Sequence, residues 1–109
     1  MARSLSPLQE CRKKCFDAFR LAIKAAFDRF TDNLTGCNDA YAAAIITCRT
    51  DPDPVACRAL ADENHTDCLR QAAEILSNEV ENARLQLENC LTMCLLQHGP
   101  PRTGTTTNG

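Results

Sequence analysis

The positions of the cysteines constrain this chain more than any other feature, because they mirror one another about a single point. The 109-residue sequence holds eight of them: Cys11, Cys15, Cys37, Cys48, Cys57, Cys68, Cys90 and Cys94. When the first is paired with the last and the pairing continues inward, the two residue numbers of every pair add up to 105. A chain that runs out along one helix and back along another brings each mirrored pair to one level. The spacing therefore predicts an all-α protein, a long antiparallel helical hairpin.

The intervals between cysteines fit one face of each helix. Cys11 and Cys15 lie one turn apart, and the next intervals in the first half are 22 and 11 residues. Eleven residues make almost three whole turns, so the cysteines stay on a slowly drifting face. The second half repeats these intervals in reverse. We predict four nested disulfides: Cys11–Cys94, Cys15–Cys90, Cys37–Cys68 and Cys48–Cys57.

Disulfides also require small side chains where the helices meet, because bridged Cα atoms lie about 5.5–6 Å apart. The mirror register supplies them. Ala22 falls level with Ala83. Ala44 falls level with Ala61 in the same way.

The helix ends are marked by capping residues and prolines. Ser4 or Ser6 can cap a helix that begins at Pro7, and Asp53 can cap a second helix that begins at Pro54. The Asp-Pro-Asp-Pro turn at 51–54 contains the mirror point, between residues 52 and 53. We expect a hairpin domain over residues 1–99 with helices at about 7–49 and 54–97, followed by a disordered tail at 100–109.

Each helix carries an apolar stripe beside its cysteines, and both stripes emerge on one side of the antiparallel pair, which we call the apolar flank. Charged residues such as Lys14, Arg29 and Glu74 occupy the other side. The flank consists of Phe16, Phe19, Ile23, Phe27, Phe30 and Leu34 on the first helix and Leu69, Leu76, Val80, Leu87 and Leu91 on the second.

Two helices alone do not cover such a flank, and exposed apolar surface favours aggregation. One alternative is a bend near Gly36 and Asn64, where helix propensity is low, that folds the hairpin into a four-helix bundle. A second is self-association into a homo-oligomer through the flank. A third is a bound apolar ligand. We expect self-association and a non-enzymatic structural or interaction role.

Composition excludes several classes of function. The net charge is −2 with both signs interspersed, so no basic stripe is available for nucleic acid. No apolar run reaches the 18 residues of a transmembrane helix, and Met1–Glu10 lacks the apolar centre of a signal peptide. Four disulfides nevertheless predict an oxidising compartment, extracellular or periplasmic. We thus expect a mature domain or a chain that arrives there without a cleaved signal.

No cofactor or resident metal is predicted. The alternative is that reduced cysteines line a Cu(I) or zinc site, although zinc sites favour closer spacing. His65 and His98 have no partners at ligand spacing, so we expect surface histidines. Glycosylation sequons begin at Asn33 and Asn64, and such matches are frequent by chance.

The cysteine frame of residues 11–94 resembles the coiled-coil-helix-coiled-coil-helix proteins of the mitochondrial intermembrane space and their twin C-x3-C chaperone relatives. Cys37-x10-Cys48 and Cys57-x10-Cys68 stand where that family has twin C-x9-C motifs. Cys11-x3-Cys15 and Cys90-x3-Cys94 resemble the chaperone motif, with a much wider separation between them. The resemblance implies a chaperone or assembly factor in the intermembrane space.

Overall fold

Two long helices joined by a short turn make up the fold, which is the predicted all-α hairpin with four nested disulfides. A computed structural model describes residues 4–99. Helix α1 spans Pro7–Cys48 and helix α2 spans Pro54–His98. The predicted tail at 100–109 lies outside the described residues.

Each helix begins at a hydrogen-bonded cap. The Ser6 hydroxyl accepts from the Gln9 amide at 3.1 Å, and the Gln9 side chain accepts from the Ser6 amide at 2.9 Å, which is a reciprocal capping box. At α2 the Asp53 carboxylate accepts from the Ala56 amide at 3.1 Å. Both caps satisfy amide groups that have no partner within their helix.

Neither helix is interrupted at the positions where the sequence permits a bend. Gly36 and Asn64 both lie inside continuous helix. The hydroxyls of Thr31 and Thr35 donate to the carbonyls of Phe27 and Thr31, each at 3.0 Å, so both side chains bond within the continuous helix. The bent four-helix alternative therefore has no break in either helix to support it.

The chain divides into two compact units, which we treat separately. Within the described residues, the terminal unit joins residues 4–22 to residues 82–99, and the turn unit comprises Ile23–Glu81. Cys11–Cys94 and Cys15–Cys90 lie in the terminal unit. The turn unit holds the other two bridges. Cα–Cα distances are 5.7 Å in the first three bridges and 5.4 Å in Cys48–Cys57.

The buried core contains only small side chains. In each helix the buried positions recur every eleven residues. On α1 they are Cys15, Ala26, Cys37 and Cys48; on α2 they are Ala61, Ala72, Ala83 and Cys94. An eleven-residue repeat keeps one narrow stripe facing the partner helix, and small side chains let the backbones approach closely. The fold is thus held by a seam of cysteine and alanine rather than by a core of large apolar residues.

Candidate functional site

The residues of the apolar flank lie beside the seam and stay accessible to solvent in both units. None of its eleven residues is buried. Phe16 and Phe27 remain 38% and 50% exposed, and the other nine residues are half-buried. Large apolar side chains that both helices present to solvent are typical of a contact surface.

In the terminal unit the flank borders a small apolar cleft beside the Cys15–Cys90 bridge. Phe19 from α1 and Leu87 from α2 form its walls, and Ala22 and Ala83 lie between them. The other lining residues are Cys15, Ala18, Gln86 and Cys90. The two walls place the stripes of α1 and α2 on the same side of this unit. The cleft encloses about 50 Å³, room for a water molecule or two.

The turn unit contains an equivalent cleft beside Cys37–Cys68, but its walls are polar. Tyr41 stands on α1 and His65 on α2, with Ala44 and Ala61 between them. Its remaining lining residues are Cys37, Ala40, Asn64 and Cys68. This cleft encloses about 140 Å³.

A shift of 22 residues, two eleven-residue repeats, converts one cleft into the other. Phe19 becomes Tyr41, and Leu87 becomes His65 when counted in the opposite direction along α2. The bridge and alanine positions are the same in both clefts. The eleven-residue repeat therefore fixes the positions of the bridges and alanines, while the wall residues are apolar in one cleft and polar in the other.

Hydrogen bonds organise the polar walls of the turn unit. The Tyr41 hydroxyl donates to the Asp62 carboxylate at 2.6 Å, and His65 Nε2 lies 2.9 Å from Asn38 Oδ1. The rings of Tyr41 and His65 stack with centroids 4.6 Å apart. The hydrogen bond to Asp62, with desolvation and the negative charge of Asp62 as further causes, raises the pKa of Tyr41. His65 is thus a half-buried histidine at the surface of the hairpin, with a hydrogen-bond partner and a ring contact.

An ion pair lies at the seam of the turn unit, on the charged side. Arg29 Nε donates to Glu79 Oε2 at 2.6 Å. The other carboxylate oxygen, Glu79 Oε1, is buried without a hydrogen-bond partner. Glu79 occupies a seam position, eleven residues from Cys68 and from Cys90. The seam therefore contains one charged side chain among small ones.

All eight cysteines are oxidised, and residues 4–99 contain no free thiol. The sulfurs of Cys11, Cys15 and Cys94 lie within 4.8 Å of one another, which would suit a soft metal. Soft metals take thiolates rather than disulfide sulfurs. The Cu(I) alternative thus requires prior reduction of at least one of these bridges.

The sequons occupy different surroundings. Asn33 is half-buried at the seam of the turn unit. Asn64 is exposed on α2 and lines the polar cleft.

The sequence reasoning missed four seam positions: Ala26, Asn33, Ala72 and Glu79. Counting in steps of eleven residues from the cysteines reaches Ala26 and Glu79 in one step and Asn33 and Ala72 in two, so the signal was present. Alanines give a weak hydrophobic pattern, and this is why the repeat is visible only when cysteine and alanine are counted together.

Within residues 4–99, neither helix has a stretch both long and apolar enough to cross a membrane. The chain significantly matches no family model, no curated protein and no solved structure. The disulfide-stapled hairpin agrees with the cysteine frame that resembles the intermembrane-space proteins, and membership of that family stays a prediction.

Proposed function

We propose that this protein is a non-enzymatic structural or interaction module that self-associates through its apolar flank. The observation that carries the proposal is the composition of the core. Every buried residue between positions 4 and 99 is cysteine or alanine, so the large apolar side chains of the flank contribute little to the interior of the single chain. Burying one such side chain fully stabilises an assembly by about 1.5–3 kcal/mol.

Each unit supplies a part of the flank. The terminal unit contributes Phe16, Phe19, Leu87 and Leu91, and the turn unit contributes Ile23, Phe27, Phe30, Leu34, Leu69, Leu76 and Val80. Phe30 lies eleven residues before Tyr41, and Leu76 eleven after His65, so both share the side on which Tyr41 and His65 stack.

A second copy of the chain is the occupant that fits the flank best. A two-fold axis brings the same patch of both copies together, so the uncharged apolar surface of one copy contacts the identical surface of the other. Charged residues such as Arg29 and Glu79 pair on the other side and would stay at the solvent-facing side of a dimer. Homodimer interfaces are similarly apolar at their centres.

Sedimentation velocity of the oxidised protein tests the proposal, and we expect a dimer or larger species. The double variant Phe19→Gln/Phe27→Gln should sediment as a monomer that keeps all four disulfides. Leu21→Gln is the matched control, since Leu21 is 70% exposed on α1 but lies outside the flank. A wild-type monomer at high micromolar concentration would reject self-association.

A carrier of apolar ligands is the second candidate, favoured by the apolar walls of the terminal cleft. Its volume of about 50 Å³ is small beside ligand pockets of about 300–1,000 Å³. The carrier would therefore need a larger cavity, formed between copies. Organic extraction of native protein followed by mass spectrometry would detect a co-purifying lipid.

We propose an oxidising location, because four disulfides persist where thiols are not kept reduced. The extracellular space or the periplasm fits this condition. The mitochondrial intermembrane space is the alternative that the cysteine frame implies, together with a chaperone or assembly role. Localisation of a tagged full-length chain would separate these compartments.

A further inference from the structure

The two bridges of the terminal unit lie close enough for their sulfurs to touch. Cys15 Sγ of one bridge is 3.5 Å from Cys94 Sγ of the other. This distance is near van der Waals contact for two sulfurs that are not bonded to each other. The arrangement follows from the sequence, because each helix places two cysteines one turn apart on one face.

The four cysteines differ in access to solvent. Cys15 and Cys94 are 2% and 0% exposed. Cys11 and Cys90 are half-buried, so the outer sulfur of each bridge is the one a reagent in solution can approach. Attack on either bridge is thus directed to its outer sulfur, and the sulfur that leaves is an inner one.

We propose that these four cysteines form a thiol–disulfide exchange site for a small external thiol, in which the bridge moves inward to Cys15–Cys94. The external thiolate attacks Cys11 Sγ and forms a mixed disulfide, while the Cys11–Cys94 bond breaks and leaves a thiolate on Cys94. The Cys94 thiolate attacks Cys15 Sγ, and the Cys15–Cys90 bond breaks. The products are a Cys15–Cys94 bridge, a mixed disulfide on Cys11 and a thiolate on Cys90.

Attack at the other outer sulfur gives the same new bridge. When the external thiolate bonds to Cys90, Cys15 becomes the leaving thiolate and attacks Cys94 Sγ, which releases Cys11. A second external thiol then resolves the mixed disulfide by either route. In total, two external thiols become one external disulfide, and two protein bridges become one bridge with thiols at Cys11 and Cys90.

Positive charge next to Cys11 favours an anionic thiol at that entrance. Arg12, Lys13 and Lys14 separate Cys11 from Cys15, and all three are exposed. Lys13 is paired with Asp17 at 2.9 Å. Arg12 and Lys14 remain available to attract a thiol such as reduced glutathione, which carries carboxylates.

The turn unit provides an internal comparison. Cys37–Cys68 and Cys48–Cys57 each have no second cysteine one turn away on either helix. A thiolate released there has no neighbouring bridge to attack and can only rejoin its partner. Exchange by transfer is therefore confined to the terminal unit, and it leaves the ends of the hairpin tied while two accessible thiols appear.

The test treats the oxidised full-length protein with increasing reduced glutathione, stops the reaction with acid and blocks free thiols. Trypsin separates Cys11 from Cys15 at Arg12, and cyanogen bromide separates Cys90 from Cys94 at Met93. Mass spectrometry then identifies every bridge. We expect Cys15–Cys94 to be the predominant bridge of molecules that carry two blocked thiols, with those thiols at Cys11 and Cys90.

Two results would overturn the proposal. One is the loss of a terminal bridge with the other left as it was, and the second is a random mixture that includes turn-unit cysteines. The variant Cys15→Ala/Cys90→Ala is the matched control, because a thiolate released on Cys94 then has no neighbouring bridge to attack, so no new bridge between cysteines can form. The exchange does not depend on self-association, so its outcome is independent of the proposed function.

Discussion

The apolar cleft of the terminal unit and the polar cleft of the turn unit share one frame and differ in their walls. Both are lined by a disulfide, three alanines, one side-chain amide and a facing pair of larger residues. In one cleft the pair is Phe19 and Leu87, which need only contact. In the other it is Tyr41 and His65, which also need hydrogen-bond partners at set positions. The same arrangement of bridge and alanines thus accepts apolar or polar wall residues. Polar wall residues require hydrogen-bond partners on the adjacent helical turns.

The largest expected effect on the free energy of unfolding comes from removing one bridge in each unit. Cys37→Ala/Cys68→Ala should lower the free energy of unfolding by about 2–4 kcal/mol, because the nearest remaining bridge is eleven residues away. Cys15→Ala/Cys90→Ala should cost much less, since Cys11–Cys94 still closes the same loop one turn away. Denaturant unfolding of both variants measures the difference. Equal losses would contradict the expectation that neighbouring bridges are redundant.

Exchanging the wall residues between the two clefts should lower stability more in the terminal unit than in the turn unit. Phe19→Tyr/Leu87→His places polar groups where Phe16 and Arg84 stand instead of Asn38 and Asp62, so the oxygen acceptors used by Tyr41 and His65 are missing. We expect a loss of about 1–2 kcal/mol, given that Leu87 is only half-buried.

The reverse exchange, Tyr41→Phe/His65→Leu, should change stability little, because added apolar contact offsets the lost hydrogen bonds. It should also strengthen self-association by extending the flank. Thermal unfolding and sedimentation of both variants test this pair of expectations. A larger loss in the turn unit than in the terminal unit would overturn the comparison.

Much of this architecture could be predicted from the sequence, because cysteine spacing reports directly on which residues meet. The hairpin and its nested bridges follow from the mirrored spacing, and the caps at Ser6 and Asp53 follow from local rules. The partners of His65 could not be predicted, since a stack and a hydrogen bond across two helices depend on rotamers. The continuity of α1 through Gly36 could not be predicted either, because tertiary contacts such as the adjacent Cys37–Cys68 bridge outweigh the low helix propensity there.

The polar cleft should also differ in its response to alkaline pH. Tyr41 is the single tyrosine of a chain without tryptophan, so its ionisation can be followed by absorbance. Its pKa is raised from the ordinary value of 10.0 because the neutral hydroxyl donates to Asp62. The stabilisation is therefore complete below that value and is lost as the pH rises through the raised pKa.

The control for this titration is Asp62→Asn, which keeps the shape of the side chain and removes its charge. Rapid pH-jump measurements should find the Tyr41 midpoint above 10.0 in the wild type and lower in the variant. Identical midpoints would mean that the hydrogen bond does not form in solution.

The smallest effect on the free energy of unfolding is expected from a substitution at the seam of the turn unit. Glu79→Ala restores a small residue at a seam position and removes the buried oxygen that has no partner. We expect no loss of stability, or a small gain, because the Arg29 side chain is 54% exposed and stays solvated when its partner is removed, while the buried oxygen without a partner is lost. Denaturant unfolding checks the sign, with Glu88→Ala as an exposed control that also loses an ion pair. A clear loss at Glu79 would show that the pair with Arg29 matters for the fold.

The eleven-residue spacing of the buried positions has a consequence for the length of the molecule. A block of eleven residues added to each helix at mirrored sites would return every later cysteine to the same face and the same partner. Each helix would then grow by about 16 Å. Related chains of this architecture should accordingly differ in size by whole blocks, and a designer could lengthen or shorten the hairpin in the same steps.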